Sequence, residues 1–407
     1  MPAYINNPYF ILLLAVLVAG LSYVILRPEA IPAFLFLLLS GLDVFLIEAT
    51  NIQQVPLLKA IILPGLMVVL LLRKIQSGEK MPLAGFVWVI SYTAFVIFSC
   101  LINGADINKY RSAFSVLLLP LVVALCPNNE KTVKYLTIAF AVWGLANFLT
   151  ILATLAGLGW ARGLVTDVDL VTIRPHGLER HSTIMGMYFV ICLNAVHVLF
   201  YQARTRFRHL LLFALGACLA VGLFATISVA ALASWVCSFL FIQYRLRGIR
   251  LNTLIGVGAC AVVVFGLIAL PNLDALLGRM TSLLTDGSAR ARVPLLQMGM
   301  RLFLTSPLVG VSLGQGGRMH LEAHNTYMQV LMEDGIIGFL LFAGVLWKGL
   351  SGLRRRAGQD EPAAVSPEAA YYVGLVGTML AIMINGLAHC NDYLMPLWLI
   401  LGIGFMV

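Results

Sequence analysis

The sequence alternates long apolar runs with short polar segments over its whole length. Thirteen such runs are found, at 8–26, 30–47, 56–72, 82–102, 111–126, 133–157, 182–201, 209–223, 228–244, 251–271, 335–353, 370–388 and 393–407. The length of most of these runs is close to the ~20 residues that an apolar helix needs to cross a bilayer. The pattern therefore predicts an all-α, polytopic integral membrane protein with about 12 transmembrane helices, forming one transmembrane domain over residues 1–407.

The composition agrees with this class. The chain of 407 residues is 60% hydrophobic and only 11% charged, whereas a soluble domain is about one quarter charged. The seven cysteines are scattered and form no C-x-x-C pair, so they are interpreted as small hydrophobic residues. No soluble basic domain is left to bind nucleic acid.

Basic residues in short loops predict the orientation of the chain. Arginine is concentrated at 204–208, 245–250 and 354–356, and the formal net charge is +9. Because short cytoplasmic loops carry an excess of Lys and Arg, these three loops are predicted to be cytoplasmic. Two other loops, 157–181 and 271–334, then face the opposite, external side.

The two predicted external loops are themselves rich in arginine, which is unusual for loops on that side. Their arginines are Arg162, Arg174 and Arg180 in the first loop and Arg279, Arg290, Arg292, Arg301 and Arg318 in the second. Salt bridges to neighbouring acidic residues are one explanation. An anionic ligand at the outer membrane face is the other, because the planar guanidinium matches phosphate oxygens.

The longer loop has structure of its own in the sequence. Residues 288–304 have an amphipathic helical pattern, typical of a helix that lies along the membrane surface or over a cavity. A turn-rich segment at 306–317 follows and leads to His324. The loop is therefore predicted to form a site together with the helix that follows it.

The segment 323–338 combines a histidine, an amide, a phenol and carboxylates at the start of an apolar helix. Polar groups at that depth cost free energy unless they have partners or a function. His324 and Tyr327 would share one face if both were helical. His324 could accept a proton from a hydroxyl near neutral pH, or it could only cap the helix or bind a carbonyl.

Three weaker signals were also considered. Asp167-Val168-Asp169 is a D-x-D triplet, which could hold a metal ion but equally could be solvated or paired with arginine. Lys59 lies inside an apolar run, where a lysine either serves a function or reaches the interface. Asp392 follows His389 between the last two runs and could orient a histidine, pair with an arginine or belong to a polar turn.

Four features near the C-terminal part of the chain resemble one family. They are the amphipathic segment at 290–301, Pro307-x-x-Gly310-Val311, His324-Asn325-x-Tyr327-x-Gln329 and Glu333-x-Gly335-x-x-Gly338. This pattern resembles the O-antigen ligase and polymerase superfamily of bacterial envelopes, which are multi-span glycosyltransferases of the GT-C type. Arg174-Pro175-x-Gly177 is similar to the first external arginine loop of the family. Ser312 departs from the glycine that is common at that position.

The resemblance implies an enzyme that transfers O-antigen from undecaprenyl pyrophosphate to lipid A–core, at the periplasmic face of the bacterial inner membrane. It implies His324 as the catalytic base of an inverting displacement, without a cofactor or metal. The candidates for binding pyrophosphate are Arg174, Arg180, Arg290 and Arg292, and the weaker site candidates are Arg162, Arg301, Lys59, Tyr327, Asn325 and Asp392.

Alternative functions remain open at this point. The family resemblance implies a ligase over an O-antigen polymerase, which commonly has two substantial arginine loops, whereas the first loop here is about half as long as the second. A protein O-oligosaccharyltransferase usually has a larger C-terminal external region, which this sequence is not expected to form. A transporter of lipid-linked glycans would also use Lys59 and the outer arginines, but it predicts internal repeats, which the sequence lacks. A purely structural assembly protein gives no role to the arginine-rich loops. Membrane lipids are expected partners of the chain in every case.

Overall fold

The computed structural model describes residues 20, 22–24, 26–50, 55–105, 111–156, 166–168, 173–175, 182–226, 228–248, 287–312, 323–358, 365–390 and 394–406. The α-helices in this part of the chain are α1 (Ile31–Thr50), α2 (Val55–Ser77), α3 (Leu83–Ile102), α4 (Arg111–Ala124), α5 (Glu130–Leu155), α6 (Ser182–Gln202), α7 (Arg206–Ala225), α8 (Val229–Arg247), α9 (Gly287–Thr305), α10 (Thr326–Arg356), α11 (Pro367–Asn385) and α12 (Met395–Phe405). A 3₁₀ turn at Pro28–Ala30 precedes α1. One antiparallel hairpin, β1 (Thr166–Val168) and β2 (Ile173–Pro175), lies between α5 and α6.

The helical, multi-pass architecture predicted from the sequence is confirmed in outline. Eleven of the predicted apolar runs coincide with described helices, while 8–26 lies mostly and 251–271 entirely outside the described residues. Among the residues that the structure describes, seven helices are long and apolar enough to cross a membrane. They are α3, α5, α6, α7, α8, α10 and α11. The figure of about 12 spans stays a prediction.

The helices pack in two groups. Helix α6 packs against α5, α7, α8 and α11, and α1 packs on α5. Helix α12 packs between α4 and α10, and α3 packs along α10. The pair α10 and α11 joins the two groups. Large fully buried rings lie in both, among them Phe36 and Phe140 in the first and Tyr92, Phe342 and Trp398 in the second.

The basic loops meet at one end of the helices, which we call the basic end. Arg245 at the end of α8 donates to the carbonyls of Ala357 and Gly358, after α10. Arg247 stacks on the Tyr201 ring at the end of α6, 5.2 Å from its centroid. The loops that the sequence assigned to one membrane side are therefore neighbours in space.

The amphipathic helix predicted in the long loop is confirmed as α9, which packs against α10. Gly299 is the point of closest approach, since a Cβ atom there would lie 3.0 Å from the Met328 side chain. The end of α10 that α9 covers is opposite to the end that meets the basic loops. We call it the site end.

Helix α10 begins earlier than the apolar pattern suggests. The sequence predicts a span from residue 335, but the helix starts at Thr326. Gly335 interrupts it with φ 64° and ψ −170°, so a short segment (326–334) is followed by the long apolar helix (336–356). The predicted boundary therefore coincides with a kink, and residues assigned to the loop form a buried helical turn before it.

Candidate active site

His324 lies immediately before α10, not on it. Its φ is 46°, in the left-handed region that few residues other than glycine adopt. Asn325 is the N-cap residue, with φ −152° and a side-chain oxygen that accepts from the Met328 amide at 2.9 Å. The expectation that His324 and Tyr327 share a helical face is wrong. Helix α10 begins at Thr326, after the capping residue Asn325, so His324 is not part of the helix.

The start of α10 is fastened to the connection between α11 and α12. The Thr326 amide donates to the carbonyls of Gly386 and His389, at 2.8 and 3.0 Å, and its hydroxyl donates to His389 O at 2.7 Å. The Asn325 side-chain amide donates to Leu387 O at 2.9 Å. Backbone groups that would be costly to bury unpaired thereby satisfy one another. The connection and His324 are held together as one unit.

A second imidazole lies beside His324 as a result. The rings of His324 and His389 are 6.5 Å apart between centroids and nearly perpendicular, at 85°. Both histidines therefore lie at the site end. Tyr327, a weaker candidate, is half-buried and its hydroxyl donates to Met383 O at 2.8 Å. Tyr327 thus joins α10 to α11.

Gln329 and Glu333 form a buried pair on the next turn of α10. Gln329 Nε2 donates to Glu333 Oε1 at 2.7 Å, and Gln329 Oε1 accepts from the Ala323 amide at 3.0 Å. Both side chains are less than a tenth exposed. Cys390 Sγ lies 3.8 Å from the same Gln329 oxygen. Through Gln329, the pair therefore contacts Ala323, the residue before His324.

Helix α3 supplies polar partners from the far side of the kink. Tyr92 OH donates to Asp334 Oδ2 at 3.0 Å, in a fully buried contact. Ser99 Oγ lies 2.8 Å from Val309 O and 3.4 Å from Glu333 O. Helix α3 thus holds the Asp334 carboxylate, the Glu333 backbone carbonyl and the turn that precedes them.

That turn, residues 306–312, packs against the Gly335 kink, backbone on backbone. The amides of Val311 and Ser312 donate to the carbonyls of Met332 and Glu333, at 3.0 and 2.9 Å. In return, the Ile336 amide donates to Pro307 O at 2.9 Å. A Cβ atom on Gly335 would lie 2.6 Å from the Gly310 nitrogen, closer than real atoms approach. Glycine is required at this contact both for space and for its φ.

The remaining candidates are placed only in part. Arg290 and Arg292 lie on the backbone of α9, Arg174 lies on β2, and Lys59 lies on α2. The hairpin register pairs Arg174 with Asp167, the first acid of the D-x-D triplet. Arg301 is exposed on α9. Arg162, Arg180 and Asp392 lie outside the described residues.

Sequence reasoning missed the polar face of α3. Tyr92, Ser99 and Asn103 lie at i, i+7 and i+11 within an apolar run, a spacing that puts them on one helical face. Asn103 continues the contacts of that face by donating to Gly310 O at 3.3 Å. A polar stripe on an apolar helix indicates a buried polar partner, and this was the available signal.

Together these contacts place two imidazoles at the start of α10, with two buried carboxylates further along the same helix segment. An imidazole can accept and donate a proton near neutral pH, and the surrounding hydrogen bonds fix where it stands. The fold is that of a multi-pass helical membrane protein, with two neighbouring histidines at the end opposite to its basic loops.

Comparison with known proteins agrees with this class. Residues 211–343 match a family model described as O-antigen ligase. Over this segment the chain is similar to the O-antigen ligase family. The segment covers α7, α8, α9 and the first half of α10, including His324 and the kink. No curated protein matches the chain.

Proposed function

We propose that the protein is an O-antigen ligase, which moves O-antigen polysaccharide from undecaprenyl pyrophosphate to a sugar hydroxyl of lipid A–core. The observation that carries the proposal is the position of His324. It lies within the segment that matches the O-antigen ligase model, on a backbone held from both sides at the site end.

The reaction follows from the chemistry of such a donor. The acceptor hydroxyl oxygen attacks the anomeric carbon, and the bond from that carbon to the pyrophosphate oxygen breaks. His324 accepts the hydroxyl proton, so the acceptor becomes more nucleophilic as it attacks. Undecaprenyl pyrophosphate leaves with the bonding electrons. A single displacement inverts the anomeric configuration.

The leaving pyrophosphate needs positive charge close to it. Arg290 and Arg292 on α9 are the first candidates, because α9 packs on the helix start beside His324. Arg174 and Arg180 of the first loop would complete the binding site. A guanidinium group can donate two parallel hydrogen bonds to phosphate oxygens, and it stays protonated. Arginines can therefore stabilise the negative charge that develops on the leaving pyrophosphate without a metal ion.

The basic end supports one orientation for the proposed enzyme. Its arginines on the loops after α6, α8 and α10 favour the cytoplasmic face of the bacterial inner membrane, where short loops are basic and lipids are anionic. The site end then faces the periplasm. Both proposed substrates are lipid-linked, so their reacting groups would lie at that membrane surface.

The test is glycan transfer by purified protein in liposomes, with undecaprenyl-linked O-antigen polymer and lipid A–core as substrates. His324→Ala is expected to lower transfer about 100-fold or more, the usual contribution of a general base. Arg290→Ala is expected to lower it less. His209→Ala is the matched control, since His209 also lies at a helix start, on α7, but at the basic end, with Nδ1 3.0 Å from Thr205 O.

The products separate the candidate functions. Polymer-capped core from the wild type, lost in His324→Ala, supports a ligase. Longer undecaprenyl-linked chains with bare core would show a polymerase, and transfer to protein would show an oligosaccharyltransferase. Translocation of the donor without transfer would show a transporter. Transfer that survives His324→Ala at the level of His209→Ala would contradict the assignment of His324 as the base.

A further inference from the structure

The backbone of His324 is held in an uncommon conformation. A left-handed φ is unfavourable for a residue other than glycine, so neighbouring contacts are needed to maintain it. On one side is the Thr326 contact to residues 386 and 389. On the other side is Ala323, which is 3% exposed and donates its amide to Gln329 Oε1 at 3.0 Å.

The Ala323 amide and Glu333 together determine which way the Gln329 amide faces. A backbone amide can only donate a hydrogen bond, so the Gln329 atom that faces Ala323 must be its oxygen, and the Gln329 NH₂ then faces Glu333. The observed 2.7 Å contact from Nε2 to Glu333 Oε1 has this arrangement. The Gln329 oxygen is thereby turned toward Ala323, whose amide needs an acceptor.

Glu333 is fixed in turn by the turn before α10. Its carbonyl accepts from the Ser312 amide at 2.9 Å and lies 3.4 Å from Ser99 Oγ on α3. Its side chain is buried, and the residue is 4% exposed. A continuous series of hydrogen bonds therefore runs from α3 through Glu333 and Gln329 to Ala323, the residue before His324.

We propose that Gln329 and Glu333 are positioning residues, which hold the His324 imidazole where it can accept the proton of the acceptor hydroxyl. The inference rests on the proposed function, because it assigns the pair a role in that same reaction. A catalytic group misplaced by about 1 Å can lose about 100-fold in rate. The pair therefore acts on turnover and leaves substrate binding unchanged.

The experiment compares three variants of the full-length protein in liposomes. Gln329→Leu removes both hydrogen bonds at similar volume. Glu333→Gln keeps an oxygen that accepts from Gln329 Nε2. Gln243→Leu is the control, because Gln243 is also a buried glutamine near a histidine, with Oε1 3.1 Å from His197 Nε2, but in α8.

Two readouts are measured for each variant, both per folded protein. The first is kcat and KM for the undecaprenyl-linked donor. The second is hydrogen–deuterium exchange of the segment 323–326, which needs no substrate. Gln329→Leu should lower kcat ~10- to 100-fold with KM unchanged, and should speed exchange of the Ala323 amide ~10-fold or more.

Glu333→Gln is expected to keep most of the wild-type kcat, and Gln243→Leu all of it, even if both lower the melting temperature. Gln329→Leu with wild-type kcat and exchange would overturn the positioning role, and so would a raised KM at unchanged kcat. Absence of transfer by the wild type would count against the ligase proposal alone, because the exchange readout still tests how His324 is held.

Discussion

The two ends of the helix bundle are held together by different means. At the basic end, long side chains reach backbone carbonyls and rings: Arg245 donates to Gly358 O, and Arg356 donates to Tyr372 OH at 2.6 Å. At the site end, backbone also packs directly on backbone, as in the contact of Gly310 with Glu333. Long side chains can move and still bond, whereas a backbone contact cannot.

This difference suggests what each end is for. The basic end needs charge on one side of the membrane, and many arrangements of arginine supply it. The site end needs one position for His324, and buried carboxylates and a glycine kink leave few alternatives. Substitutions of similar size should therefore cost much more at the site end than at the basic end.

The largest expected effect comes from two glycines with nearly the same backbone conformation. Gly335 has φ 64° and ψ −170°, and Gly248 has φ 72° and ψ 167°. Alanine in this region costs about 1–3 kcal/mol for conformation alone. Gly248 has open space around it, but a Cβ at Gly335 would overlap the Leu308 backbone.

Gly335→Ala should therefore lower the free energy of unfolding much more than Gly248→Ala does. It should also abolish most of the glycan transfer. The measurement is thermal unfolding in detergent, followed by transfer in liposomes at matched folded amounts. Equal losses for the two variants would show that conformation alone matters and that the backbone contact at Gly335 is dispensable.

A smaller effect is expected for two buried tyrosine hydroxyls. Tyr92→Phe removes the donor to Asp334, and leaving a buried carboxylate short of a partner costs about 1–3 kcal/mol. Tyr372→Phe removes the acceptor of Arg356, which keeps Met406 O at 3.4 Å and the ring beneath it. We expect this second loss to be below about 1 kcal/mol. Chemical unfolding of both variants checks the order, and a larger loss for Tyr372→Phe would contradict the comparison.

The smallest effect is a gain. Ser312 is fully buried with φ 81°, and glycine would adopt this conformation without the about 1–2 kcal/mol penalty. The substitution loses a weak contact of Ser312 Oγ to Cys100 Sγ at 3.4 Å and adds backbone freedom to the unfolded chain. Ser312→Gly should leave the melting temperature equal or slightly higher. A clear decrease would show that the hydroxyl matters more than the strain.

Most of the helices could be predicted from the sequence, because an apolar run near 20 residues has few other structures open to it. The position of His324 outside α10 could also have been predicted. Asn325 is a strong capping residue, and placing the cap there puts His324 before the helix. The apolar pattern did not indicate this helix start, because the hydropathy of residues 323–334 is typical of a loop.

The kink and the partners of the carboxylates could not be predicted in the same way. Gly335 adopts its conformation because a turn from residues 306–312 lies against it, and that turn is held by Ser99 on a distant helix. Such contacts between residues far apart in the chain cannot be predicted from the local sequence. The arginine side chains named from the sequence remain predictions, since only their backbone positions, or none, are described.

The way α10 begins restricts how the site can bind an anion. A free helix N-terminus attracts phosphate through its exposed amides and its dipole. Here the Thr326 amide is taken by two carbonyls, the Met328 amide by Asn325 Oδ1 and the Gln329 amide by Asn325 O. In the proposed ligase, the arginines of the neighbouring loops, and not these three amides, would therefore bind the pyrophosphate.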